Sequence, residues 1–168
     1  MTKNKLKSKV YIDGANVFYS QKKLGWSLDW QKVKDFIEDK KEVVEYRYYT
    51  GIKNDDDKMR KYLRYLNHIK FYTITKPLKK IKISESKFIY KCNFDVEITT
   101  DILLEKYSLD EMILFSGDSD FSYLIDKLKS MGKKVIVFSS KKTLSWELKL
   151  KASEIVYLED IREKIERR

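Results

Sequence analysis

The chain has 168 residues, 42% hydrophobic and 14% aromatic, with a single Pro and five Gly, which suits one compact domain over 1–168 that buries roughly 70% of its unfolded surface. Its only cysteine, Cys92, excludes a disulfide framework or a Cys-rich zinc site within one chain. No apolar stretch approaches the roughly 18 residues of a membrane span, and Lys3, Lys5, Lys7 and Lys9 run into a strand rather than a signal-peptide core, so no membrane partner and a cytoplasmic location are expected. The net charge of +10 favours a polyanionic partner, nucleic acid first, although a Lys-rich composition alone can produce the same excess.

In chain order, an apolar strand-like run at Val10 to Ile12 is followed by a helical pattern from Asn16 to Leu24, ended by Gly25. A second helix has Asp29 as its N-cap and Val33, Phe36 and Ile37 on its apolar face. A strand at Val43 to Tyr49 comes next. The third helix begins among Asp55, Asp56 and Asp57, acids that suit the positive end of a helix dipole, and runs through Met59, Leu63 and Leu66. After a strand at Phe71 to Ile74, the segment Lys76 to Lys91 alternates Ile81, Ile83, Phe88 and Tyr90 with polar residues, the pattern of a hairpin or an ordered loop.

A fourth helix covers roughly Phe94 to Glu105 and precedes a strand at Met112 to Phe115. Phe121, Leu124, Ile125, Leu128 and Met131 follow the 3, 4, 7 spacing of a helix, with Gly132 placed to cap its end. Strands at Val135 to Phe138 and Ile155 to Tyr157 enclose a helix at Ser145 to Ala152, and Leu158 to Ile165 is the last helical pattern. Strands that alternate with helices in this way define an α/β fold with a mainly parallel sheet covered on both faces.

Ligands of such a sheet sit beyond the carboxyl ends of its strands, where strand order reverses. Asp13 follows the first strand and Asp118 and Asp120 follow the fourth, so neighbouring strands would bring the three together. Like charges that close raise one another's pKa unless a cation neutralises them, and hard carboxylate ligands suit Mg²⁺ or Mn²⁺. Asn16 is placed either to orient Asp13 or a bound water or to cap the first helix, and Ser116 and Ser119 flank the acidic turn where they can hydrogen-bond its carboxylates or a substrate phosphate, Ser119 alternatively only shaping the turn. A further acid comes from the fourth helix. Asp95 and Asp101 lie about 120° apart on an ideal helix with about 9 Å of rise between them, so both cannot easily be direct ligands; Asp95 is favoured, with Asp101 as a supporting or alternative group.

On these residues the chain resembles the NYN domain family, in its LabA-like branch, within the PIN-like nuclease superfamily. The motifs are Tyr11-Ile12-Asp13-Gly14-Ala15-Asn16, the stretch Lys91 through Asp101, and Ser116-Gly117-Asp118-Ser119-Asp120-Phe121, within a similarity from about Val10 to Leu158. Cys92 and Ser153 depart from the family pattern outside the acidic cluster. The resemblance implies a three-layer α/β/α sandwich, PIN-like and Rossmann-like, and Mg²⁺- or Mn²⁺-dependent cleavage of RNA. It places the acidic cluster at Asp13, Asp95, Asp118 and Asp120, with auxiliary polar groups at Asn16 and Asp101.

For the backbone of a single-stranded RNA the expected contacts are Lys22, Lys23, Arg47, Lys91, Lys141 and Lys142, and Tyr19, Tyr48 or Tyr49 for stacking on an unpaired base. Trp26, Trp30 and Trp146 read as core residues, and His68 as a surface or packing residue rather than a general base. A phosphatase with a nucleophilic Asp-x-Asp turn is disfavoured by Asp13-Gly14-Ala15, and a receiver-like signalling domain by the missing acidic pair. The competing class is a catalytically inactive RNA-binding or regulatory assembly module of the same fold; a second copy of the chain, as a homodimer, is a further partner to expect.

Overall fold

The computed structural model describes residues 5–168, so Lys3 lies outside them. Its elements are β1 (Leu6–Asp13), α1 (Gly14–Leu24), α2 (Trp30–Glu38), β2 (Lys41–Ile52), α3 (Asp57–His68), β3 (Phe71–Pro77), β4 (Lys79–Lys82), β5 (Phe88–Lys91), α4 (Asp95–Leu103), β6 (Glu111–Phe115), α5 (Ser122–Ser130), β7 (Lys134–Ser139), α6 (Trp146–Lys151), β8 (Glu154–Tyr157) and α7 (Arg162–Ile165). The six apolar runs are the strands of one sheet in the order β3-β2-β1-β6-β7-β8, every neighbouring pair parallel. The Lys76 to Lys91 segment contains the antiparallel hairpin β4–β5, which stands apart from that sheet.

Period-two alternation along the strands divides the core into two layers. Val10, Ile12, Ile113, Phe115, Ile136 and Phe138 face α1, α2, α3 and α7 through Val17, Trp30, Val33, Ile37, Leu66 and Ile165. Their neighbours Tyr11, Met112, Leu114, Val135 and Val137 face α4, α5 and α6 through Ile98, Ile102, Leu124, Leu128 and Leu148. The result is the expected three-layer sandwich. Among the described residues no helix is long and apolar enough to cross a membrane.

Helix ends follow the capping residues. Asp29 accepts the N–H groups of Gln31 and Lys32, and Asp56 that of Met59. Gly25 and Gly132 end α1 and α5 with φ of 79° and 74°, a left-handed conformation that costs glycine nothing. Two patterns come out shorter than their sequence suggests. Ser119–Phe121 forms a tighter 3₁₀ turn before α5, and the last helical pattern divides into a 3₁₀ turn at Leu158–Ile161 and the short α7.

The carboxyl-terminal end of α4 is held to the sheet by charge. Lys9, only 2% exposed, places its ammonium 2.5 Å from Glu105 and 3.1 Å from Glu45, and the Tyr11 hydroxyl donates to Glu105 at 2.9 Å. Arg47 pairs with Glu45 and, at 2.9 Å, with Asp101, whose carboxylate also accepts the Tyr49 hydroxyl at 2.7 Å. Burial alone raises the Glu105 carboxyl, but Lys9, the Tyr107 N–H and Tyr11 hold it below its ordinary value. Replacement of Lys9 by Met strands that buried carboxylate. The expected loss is about 3–5 kcal/mol of unfolding free energy by urea denaturation, whereas a variant as stable as the wild type would show that solvent takes over the pairing.

Candidate metal centre

Strand order reverses at the β1–β6 pair, with β2 and β3 on one side and β7 and β8 on the other, so the site is built on two adjacent strand ends. Asp13 closes β1 and caps α1, its Oδ1 accepting the Asn16 N–H at 3.1 Å. The cap is therefore Asp13 and not Asn16. Gly14 permits this turn because a Cβ there would lie 2.5 Å from the Tyr49 carbonyl oxygen. From the end of β6, the Ser116 hydroxyl donates to Asp13 Oδ2 at 3.2 Å and accepts the Asp118 N–H at 3.2 Å. Asn16 uses its side-chain oxygen to accept the Gly117 N–H at 2.9 Å. A Cβ on Gly117 would stand 2.3 Å from the Thr143 carbonyl, so a side chain at that position would push the β7–α6 connection away.

Asp118 turns the chain by accepting the Asp120 N–H at 3.0 Å. Opposite it, Asp95 opens α4, braced by Asn93, whose amide donates to Asp95 Oδ2 at 2.5 Å and whose carbonyl accepts the Asp95 N–H at 2.7 Å. Carboxylate oxygens of Asp95, Asp118 and Asp120 all lie within 4.8 Å of one another. Asp13 stands outside that trio, 8% exposed. Burial pushes its carboxyl up to about 6, with the charges of Asp95 and Asp118 adding and the Asn16 N–H and Ser116 opposing. Asp95 is raised as well, by burial first and then, against its bond from Asn93, by Asp118 and Asp120.

Among the described residues, no Lys or Arg forms an ion pair with any of these four acids. Three hard oxygen donors with uncompensated charge fit a divalent cation. Asp101, in contrast, is neutralised by Arg47 and lies outside the trio.

The basic residues divide in the same way. Lys22 and Lys23 are exposed at the end of α1, and Lys142 ties to them by donating to the Lys23 carbonyl at 3.0 Å; Thr143, beside Lys142, packs on Gly117 of the acidic turn. Lys91 is exposed at the end of β5. Arg47 is held by Glu45 and Asp101, and Lys141 is paired with Asp160. Two expectations need correction. Tyr48 and Tyr49 cannot stack on a base, because both are buried, Tyr48 edge-on to Trp30 and Tyr49 against Phe94, whereas Tyr19 is exposed. Trp26 and Trp30 belong to the core, but Trp146 is 65% exposed and is no core residue. His68 ends α3 in solvent. Asn93 was not among the expected residues, although an Asn two positions before an acid at a helix start is turn chemistry that points to it.

The family model described as NYN domain matches residues 7–159. Over 162 residues the chain is 32% identical to the Low amplitude and bright protein LabA of Synechococcus elongatus, covering 94% of this chain and 87% of that protein. The crystal structure of a protein of unknown function from Vibrio parahaemolyticus shares the fold with a TM-score of 0.80 and 26% identity, over 98% of this chain and 99% of that one.

The electrostatics of Asp13 give a test free of activity. Its folded-state pKa of about 6 lies above its ordinary 3.8, so ionisation opposes folding: the penalty is absent below 3.8 and complete above about 6. That rise corresponds to about 3 kcal/mol. In EDTA, Asp13→Asn should stabilise the protein at pH 7.5 by about 1–3 kcal/mol in urea denaturation and give no gain at pH 3.5. A gain that is the same at both values would trace to something other than this charge.

Proposed function

Since the chain belongs to the NYN domain family, we propose that it is a metal-dependent ribonuclease that hydrolyses RNA phosphodiester bonds at the acidic group beyond β1 and β6. The observation that carries this reading is the approach of the Asp95, Asp118 and Asp120 oxygens to within 4.8 Å, with no ion pair to any of them among the described residues. Mg²⁺ or Mn²⁺ bound there would lower the pKa of a coordinated water and offset charge building on the phosphate oxygens.

The chain's own residues supply position. Asp95, Asp118 and Asp120 offer the ligand oxygens, drawn from a helix start and a strand-end turn, so that their separation is set by the packing of α4 and α5 against the sheet. Asp13 accepts one hydrogen bond on each oxygen, from Asn16 and from Ser116, which leaves lone pairs free for the cation or for water. Ser116 and Asn16 hold the acidic turn to β1 and α1, so their loss moves ligands rather than removes them. Lys22, Lys23 and Lys142 form a basic patch beside the turn for the phosphates that flank the scissile one. Single-stranded RNA is the proposed substrate, since its flexible backbone can adapt to lysines and carboxylates on neighbouring turns.

Labelled single-stranded RNA incubated with Mn²⁺ should be cleaved by the wild type and not in EDTA, with Asp118→Asn at least about a hundredfold slower and Ser116→Ala about 10–100-fold slower. Equal rates for Asp118→Asn and wild type would overturn the mechanism. Binding without cleavage in both proteins would replace it with the inactive RNA-binding module.

A further inference from the structure

The hairpin β4–β5 is the part of the chain that the fold does not explain. All eight of its strand residues are exposed, although Ile81, Phe88, Ile89 and Tyr90 are among them. A hairpin kept for packing would turn one face to the core, and neither face of this one is buried.

Its register sorts the side chains. Lys80 pairs with Tyr90 and Lys82 with Phe88, and because directly opposed residues share a face, these four stand together. Lys79, Ile81, Ile89 and Lys91 take the other face, where Lys79, Ile81 and Lys91 line a groove of about 540 Å³ with Leu78 and Cys92. The first face therefore carries two aromatic rings and two ammonium groups. Phe88 and Tyr90 are 43% and 46% exposed and sit two residues apart on one strand, about 7 Å along it. Cations already lie over both rings, Lys80 at 4.1 Å from the Phe88 centroid and Lys53 at 3.8 Å from that of Tyr90.

Between Lys76 and Lys91 there are six Lys and one acid, Glu85. A second copy of this arm would be repelled by the first, whereas a polyanion would be attracted. From Lys91 the chain passes through Cys92 and Asn93 to Asp95, an extended span of at most about 14 Å. The arm thus leads into the acidic group by way of the residue that braces it.

We propose that the Lys80–Lys82–Phe88–Tyr90 face of the hairpin is a stacking platform for single-stranded RNA, on which two unpaired bases lie against Phe88 and Tyr90 while Lys53, Lys80 and Lys82 meet the adjoining phosphates. The inference rests on the ribonuclease reading for its choice of RNA, and it assigns to this arm the delivery of the strand to Asp95, Asp118 and Asp120. Exposed aromatics on a sheet face bind bases without regard to sequence, because every base has a π-face.

The test is fluorescence anisotropy of a fluorescein-labelled oligouridine in EDTA, where binding is read without cleavage. Phe88→Ala combined with Tyr90→Ala should weaken binding at least about tenfold with little change in salt dependence. Lys80→Gln combined with Lys82→Gln should lower the slope of log K against log salt by about 1.4. Replacing both aromatics by Trp should keep wild-type affinity or exceed it, which a mere folding defect would not allow. Wild-type affinity in the alanine variant overturns the platform. So does an equal loss on a matched RNA duplex, whose bases are not free to stack, or conversion of a dimer to a monomer with RNA affinity unchanged, which would make the arm a contact between copies.

Cleavage assays separate the two readings. If the wild type cleaves, Asp118→Asn does not, and the alanine variant binds normally, the platform alone falls. If binding depends on the hairpin while Asp118→Asn cleaves like the wild type, the acidic mechanism falls and the platform stands. A wild type with no affinity for the oligouridine in EDTA overturns the platform, while the acidic mechanism still stands or falls on cleavage with Mn²⁺.

Discussion

The parallel pairing of β1 with β6 is the constraint from which the site follows. It sets two strand ends side by side, and the chain beyond each is bound to the other by hydrogen bonds: Ser116 to Asp13, and the Gly117 N–H to Asn16. These bonds are short-range and directional, so the acidic turn has one position relative to β1 rather than a range. Two glycines make the approach feasible, since a methyl group at Gly14 or Gly117 would meet a backbone carbonyl that cannot rotate aside. The arrangement of acids is thus fixed by neutral contacts before any cation is considered.

Helix α4 makes the electrostatic logic visible, because it carries both matched and unmatched acids. At its carboxyl-terminal half Asp101 is matched by Arg47, and Glu105, just beyond, by Lys9; at its first position Asp95 faces Asp118 and Asp120 with no ion-pair partner among the described residues. In a chain with a net charge of +10 a basic partner is easily supplied, and Glu97, Asp101, Glu105 and Asp126 in this layer each have one, in Lys76, Arg47, Lys9 and Lys151. Leaving Asp95 unmatched keeps a negative potential at one point. The ion pairs further along α4 hold the helix against that repulsion, in which like charges would otherwise drive its first turn from the sheet.

Most of the fold was legible in the sequence. Parallel strands buried on both faces read as continuous apolar runs, as β6 and β7 do, and the partly exposed β2, β3 and β8 keep enough β-branched and aromatic residues to stand out as well. The same burial explains what was misread. Tyr48 and Tyr49 lie in the one stretch of β2 that is buried on both faces, so a position near the strand end does not make a tyrosine accessible. Trp146 opens the short α6, of which only Leu148 is buried, and no periodicity extends far enough to show its direction. Asp13, Asp118 and Asp120 were visible because an acid just past an apolar run has few bland explanations. Between Asp95 and Asp101 helical geometry said only that one must differ; the discriminating contact is Arg47, on a strand far away in sequence, which a linear reading has no means to place. Arg47 and Lys141 were misleading as free cations for the same reason, since Asp101 and Asp160 satisfy them across the fold.

The distribution of charge separates two acts that a nuclease must perform. An RNA phosphate is attracted by the lysines of the hairpin and by those around Lys142, but repelled by the unmatched trio until a cation lies there. On the proposed function, binding along the strand would be insensitive to the metal and steeply dependent on salt, while entry of one phosphate into the acidic group would depend on the metal and hardly on distant lysines. The two dependences would meet where β5 runs through Asn93 into Asp95, so on the proposed function that segment is where a strand held by its bases would be brought against the carboxylates.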